Sequence, residues 1–152
     1  MNELNKETEQ RALARMMRYC ALAEHCRSEV ESKLRQTDLS EAAIRRIVQA
    51  LQAEKYLDDE RYCRSFTGDK FRFAGWGKYK IAQALRAKGL PDKLIEHSLD
   101  ELDETEYMAA LRRLLDRKQR DIRATNDYER RAKLIRFAMS RGFSYEDVMR
   151  AI

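Results

Sequence analysis

Apolar residues recur along this chain at intervals of three and four, the spacing that lays one stripe along a helix. Leu13, Met16, Met17 and Cys20, with Ala23 at the edge, share one such stripe; Val30 and Leu34 continue the pattern, and Ile44, Ile47, Val48 and Leu51 form the next. No stretch sustains apolar–polar alternation, so strands are not expected. The punctuation agrees. Ser40 before Glu41-Ala42-Ala43-Ile44 and Asp58 before Asp59-Glu60-Arg61 read as N-caps, with acidic first turns that suit the helix dipole. Lys88-Gly89-Leu90-Pro91 closes one helix with glycine and opens another with proline, and Arg141-Gly142-Phe143-Ser144 repeats the device. Ser144-Tyr145-Glu146-Asp147 resembles a capping box.

The pattern repeats. With Gly89 laid on Gly142, a shift of 53, Ile81 meets Leu134, Leu85 meets Ala138, Ile95 meets Val148 and Leu99 meets Ile152. A shift of 51 the other way lays Ile81 on Val30, Leu85 on Leu34, Leu90 on Leu39, Ile95 on Ile44 and Leu99 on Val48, with Asp38 in the glycine position. The shared unit is helix, tight turn, helix, and a third helix follows near residues 58–73 and 105–121. Two helices this short cannot hide their apolar stripes, so three must surround each core. The expected architecture is all-α: three tandem three-helix repeats in an elongated, curved array. Residues 1–74 hold an N-terminal helix and the first module, 75–124 the second, and 125–152 a shortened third.

Composition narrows the function classes. The chain has 152 residues, one Pro and five Gly, and 38% of its residues are charged. No run of about 18 uncharged apolar residues occurs, and the polar start, with three Glu in its first ten residues, is no signal peptide. Cys20, Cys26 and Cys63 read as reduced thiols, which points to the cytoplasm. The net charge of +5 is unevenly spread: −2 over residues 1–60, +7 over 61–93, −6 over 94–109 and +6 over 110–152. Two basic segments suggest an acidic or polyanionic partner, although a solvated helical surface has the same composition.

Catalysis finds little support. His25 and His97 fall in different modules, the thiols lack a zinc spacing, and Gly75-Trp76-Gly77 lacks the rest of either nucleotide fingerprint. Cys20 belongs to an apolar stripe and reads as a packed thiol. The segment 61–80 is different: it interleaves Arg61, Arg64, Lys70, Arg72, Lys78 and Lys80 with Tyr62, Phe66, Phe71, Phe73, Trp76 and Tyr79. Single-stranded nucleic acid needs such interleaving, since bases stack on rings while phosphates meet cations. The plainer reading puts Tyr62, Phe66 and Phe73 in the core of the helix and packs Trp76 where modules meet. The cations survive either reading. Beyond the turn, Ile81, Ala84 and Leu85 should face in, with Tyr79, Gln83 and Arg86 outward and Lys80 on a flank. Leu134, Phe137 and Ala138 should face in, with Lys133 and Arg136 outward. The candidate interface for a partner or nucleic acid is therefore Lys70, Arg72, Lys78, Lys80, Arg86, Lys133 and Arg136. No metal, cofactor or catalytic residue is expected.

Tyr56-Leu57-Asp58-Asp59-Glu60-Arg61-Tyr62 with Phe66, then Gly75-Trp76-Gly77-Lys78-Tyr79-Lys80-Ile81, Leu85 and Lys88-Gly89, then Ser140-Arg141-Gly142-Phe143-Ser144, together resemble the RecX regulatory proteins. The resemblance runs from about Tyr19 to Ile152. Two positions depart from the family pattern: Asp38 replaces a small turn residue, and Lys78-Tyr79 stands where a proline-containing pair is common. The resemblance implies three tandem three-helix repeats and a non-enzymatic, monomeric protein that binds the RecA filament. It also implies inhibition or modulation of the filament's recombinase, ATPase and coprotease activities in DNA repair, recombination and the SOS response. Some members of that family also bind single- or double-stranded DNA. The residues leave one alternative: a stand-alone, sequence-tolerant nucleic-acid-binding helical protein. The glycine-turned helix pairs favour it; the want of a base-reading set of side chains on any helix opposes it.

Overall fold

A computed structural model describes residues 7–152. Its described residues form nine helices and no strands: α1 Glu9–Leu22, α2 Arg27–Leu34, α3 Glu41–Ala53, α4 Asp59–Arg72, α5 Lys78–Ala87, α6 Asp92–Asp100, α7 Glu104–Gln119, α8 Asp127–Ser140 and α9 Tyr145–Ala151. Their starts are chemically marked. Ser40 accepts from the Ala43 amide, Asp58 from Arg61, Asp103 from Glu106, Asn126 from Glu129 and Ser144 from Asp147. Each bond satisfies an amide that the first helical turn leaves without a partner.

The helix ends show why Asp38 can replace glycine. Gly89 and Gly142 sit at φ +83° and +100°, the left-handed conformation that lets a helix stop and reverse. In the first copy α2 ends earlier, at Leu34. The Thr37 hydroxyl then donates 2.5 Å to the Leu34 carbonyl and accepts from the Leu39 amide. This side-chain turn makes a left-handed residue at position 38 unnecessary.

The chain divides into two compact units, Met1–Ser65 and Phe66–Ile152. In the first, Ala12, Met16 and Cys20 of α1 pack with Val30 and Leu34 of α2, with Ile44, Ile47, Val48 and Leu51 of α3, and with Leu57. Ala23 is exposed, just beyond the end of α1. In the second unit, Ile81, Ala82 and Leu85 of α5 and Ile95 of α6 are buried, as are Tyr107, Met108, Leu111 and Leu115 of α7 and Leu134, Ala138 and Val148 of α8 and α9. Ala82 takes the buried place expected for Ala84, which is half-buried, as is Phe137. Two buried hydroxyls serve each other: Ser98 donates to the Ile95 carbonyl at 2.9 Å, and Thr67 of α4 lies 3.1 Å from Ser98 of α6.

The repeat is phased differently from the 75 and 125 boundaries. Helices α7, α8 and α9 pack against one another, as α1 and α2 both do against α3, and α4 is tied to α6 through Thr67 and Ser98. The second and third triples therefore start with the helix that the sequence reading placed at the end of the preceding module. Self-alignment fixes a period but not its origin; packing sets the origin.

Candidate partner interface

The second unit holds all seven candidate cations, and the structure treats them differently. Trp76, half-buried, is met by two lysines: the Lys70 and Lys80 ammonium groups each stand 4.7 Å from its ring centroid. Lys70 also lies 5.5 Å from the Phe66 ring, which meets Trp76 edge-on at 6.3 Å. The Trp76 amide donates 3.0 Å to the Lys70 carbonyl, fixing the turn that brings the ring back over α4. Both lysines thus help to fold the α4–α5 turn, each contact being worth about 0.5–1 kcal/mol.

After Trp76 the backbone runs against the α8–α9 turn. The Gly77 amide donates 2.7 Å to the Arg141 carbonyl, and the Tyr79 amide donates 2.9 Å to the Gly142 carbonyl. Lys78 is held twice. Its amide donates 2.9 Å to the Tyr107 hydroxyl, and its ammonium lies 4.8 Å from the Tyr107 ring and 3.9 Å from Glu104. Tyr107 itself is wedged between Phe71 at 5.6 Å and Phe143 at 5.2 Å, and burial pushes its phenol up to about 12.

Of the remaining candidates, Arg86 is exposed and paired with Asp92 at 3.0 Å. Lys133 is half-buried, with its ammonium 2.7 Å from the Arg123 carbonyl and 3.1 Å from Glu129. The Thr125 hydroxyl and amide and Lys133 hold the Glu129 carboxyl down at about 2. Lys133 therefore pins the α7–α8 connection instead of standing free on the outer side. Arg136 is exposed as expected.

Arg72 leads to a feature that local spacing does not show. A cleft of about 580 Å³ opens between the end of α4, helix α7 and the α8–α9 turn. Phe71, Phe143, Ala110 and Leu114 line it, and Arg72, Arg113, Arg117 and Arg141 surround it with one carboxylate, Glu106. Arg113 and Arg117 are four residues apart on the face of α7 that carries Glu106 and Ala110, and that i,i+4 pair was the available sequence signal. Arg72, Arg113 and Arg117 are exposed and have no carboxylate partner among the described residues. Phe73, read as core from its spacing, is 84% exposed at this rim, while Phe71 is the buried ring. It lies one residue past the end of α4, where helical periodicity no longer applies.

Among the described residues no group of three or more His, Cys, Asp or Glu is gathered to hold a metal ion. The three thiols are buried, and burial pushes Cys63 up to about 11, far from a reactive thiolate. No helix among the described residues is long and apolar enough to cross a membrane.

Comparison with known proteins gives this frame a family. Residues 58–99 match the model of the second three-helix domain of RecX, and residues 104–152 match that of the third. Both matches open at the helices that start the α4–α6 and α7–α9 triples. The regulatory protein RecX of Chlorobaculum tepidum is 31% identical over 93% of this chain and 86% of its own length; that of Prosthecochloris aestuarii is 31% identical over 93% and 91%. The crystal structure of RecX from Lactobacillus salivarius superposes with a TM-score of 0.86 at 21% identity, covering 94% of this chain and 93% of that one, and so shares the fold. Two matched domains in tandem and relatives that align almost end to end at 31% identity place this chain in the RecX family of regulatory proteins.

Proposed function

We propose that this protein regulates by binding the RecA nucleoprotein filament in the cytoplasm, as a monomer and without chemistry of its own. It thereby lowers the filament's recombinase, ATPase and coprotease activities in DNA repair, recombination and the SOS response. The observation that carries this reading is the match of two consecutive RecX domains to helices that present arginines without a carboxylate partner among the described residues. A filament of protein on nucleic acid is a repeating, largely anionic target. Tandem modules that each make a modest contact gain through effective concentration when they engage together.

The experiment is a titration of this protein into RecA hydrolysing ATP on single-stranded DNA. Hydrolysis should fall as the protein is added; unchanged hydrolysis with the protein in excess over RecA would overturn the reading. A second reading, stand-alone nucleic-acid binding, is favoured by the open arginine cleft beside an exposed ring. Tight binding of DNA without RecA at physiological salt, with a steep salt dependence, would select it.

A further inference from the structure

We propose that the cleft ringed by Arg72, Arg113, Arg117 and Arg141 is a subsite for single-stranded nucleic acid, with phosphates on the arginines and one base stacked on Phe73. The proposal deepens the filament reading by assigning the strand contact to particular side chains of this chain. Charge complementarity selects an anion: four guanidinium groups and one carboxylate line the cleft, and none of the four has a carboxylate partner among the described residues, Arg141 lying over the Phe137 ring instead. Arginine forks donate in pairs to phosphate oxygens. Guanidinium groups alone suit a carboxylate peptide as well, so Phe73 decides between occupants. A phenylalanine that is 84% exposed beside cations has no packing role, but a nucleobase covers such a ring face to face. A duplex hides its base faces, so the occupant is a single strand. Trp76, Lys70 and Lys80 are not among the residues that line the cleft. Lys70 and Lys80 are engaged with the Trp76 ring, while Arg72 and the α7 arginines stand in solvent.

The test measures anisotropy of a fluorescein-labelled oligothymidylate with the full chain at low salt, without RecA. Arg113→Glu with Arg117→Glu should weaken binding about tenfold or more and flatten the plot of log affinity against log salt by about 1.4, the share of two phosphates on a single strand. Phe73→Ala should weaken it about fivefold or more, and Phe73→Trp should restore it. Arg11→Glu with Arg18→Glu removes the same charge from exposed positions of α1 and should have little effect. Circular dichroism of each variant establishes that the helices remain. Equal losses in the α1 and α7 variants would overturn the proposal, as would indifference to Phe73→Ala. Displacement of the oligonucleotide by polyglutamate as readily as by unlabelled strand would overturn it in favour of a carboxylate peptide. Inhibition of RecA by the cleft variants is read separately: if it persists while strand binding is unaffected by the substitutions, the subsite fails and the regulator reading stands.

Discussion

Gly77 and Gly142 meet backbone to backbone: a Cβ on Gly77 would lie 2.5 Å from the Gly142 carbonyl carbon and oxygen, and one on Gly142 would lie 2.5 Å from the Lys80 Cβ. Two turns from different helix triples can cross this closely only without side chains between them. The crossing allows the amides of Gly77 and Tyr79 to reach the α8–α9 turn.

Gly142→Ala should therefore destabilise the protein by about 3 kcal/mol or more, since overpacking adds to strain at φ +100°. Gly89→Ala should cost only about 1–2 kcal/mol, because its φ of +83° is strained but nothing lies within 4 Å of the added methyl. Urea midpoints of the two variants check the order. Equal losses would mean that the crossing is not tight in solution.

Surface cations should separate by what they touch. Arg86→Glu with Arg136→Glu should leave stability within about 0.5 kcal/mol, because both are exposed and an exposed pair such as Arg86–Asp92 contributes little. Lys80→Glu should cost about 1 kcal/mol, since it removes an ammonium from the Trp76 ring and replaces it with a repelled carboxylate. Thermal melts of both variants, beside their inhibition of RecA, distinguish lost folding from lost binding.

Tyr107→Phe leaves the Lys78 amide without its acceptor and should cost about 1–2 kcal/mol. The substitution should also change the response to alkali. The folded phenol titrates at about 12, above the ordinary value near 10, so the folded state holds its proton more tightly than the unfolded chain. The stability this supplies is complete below pH 10 and is lost as pH rises from 10 towards 12. Urea midpoints at pH 9 and pH 11 should fall more for the parent than for the Phe variant.

The thiols should be silent in the folded protein. With Cys63 at about 11 and Cys20 also raised by burial, reaction with Ellman's reagent at pH 8 should be slow without denaturant and rapid in unfolding urea. Stoichiometric labelling within seconds in buffer alone would show that these helices open readily.

Much of the helix pattern could be read from the chain because each helix carries its own stripe and cap. Ser40, Asp58 and Ser144 act on amides three residues away, and Ile81, Leu85 and Leu134 recur at intervals that burial requires. Features that depend on distant partners could not be read in this way. Phe71 is buried because Tyr107 arrives from α7, and Arg72 meets Arg113 and Arg117 through a tertiary approach. Lys133 has outward spacing, yet a carbonyl from the preceding connection captures it. The α8–α9 glycine was visible as a helix stop, but its second task, making room for Gly77, depends on a turn 65 residues earlier.

Trp76 is the only tryptophan in the chain. Its indole, with two ammonium groups each 4.7 Å from the ring centroid, is therefore a built-in optical gauge of the α4–α5 turn. Any ligand that draws Lys70 or Lys80 away alters the electric field across that ring. Engagement of a partner can then be followed as a change in emission wavelength or intensity on the unlabelled, unmodified protein.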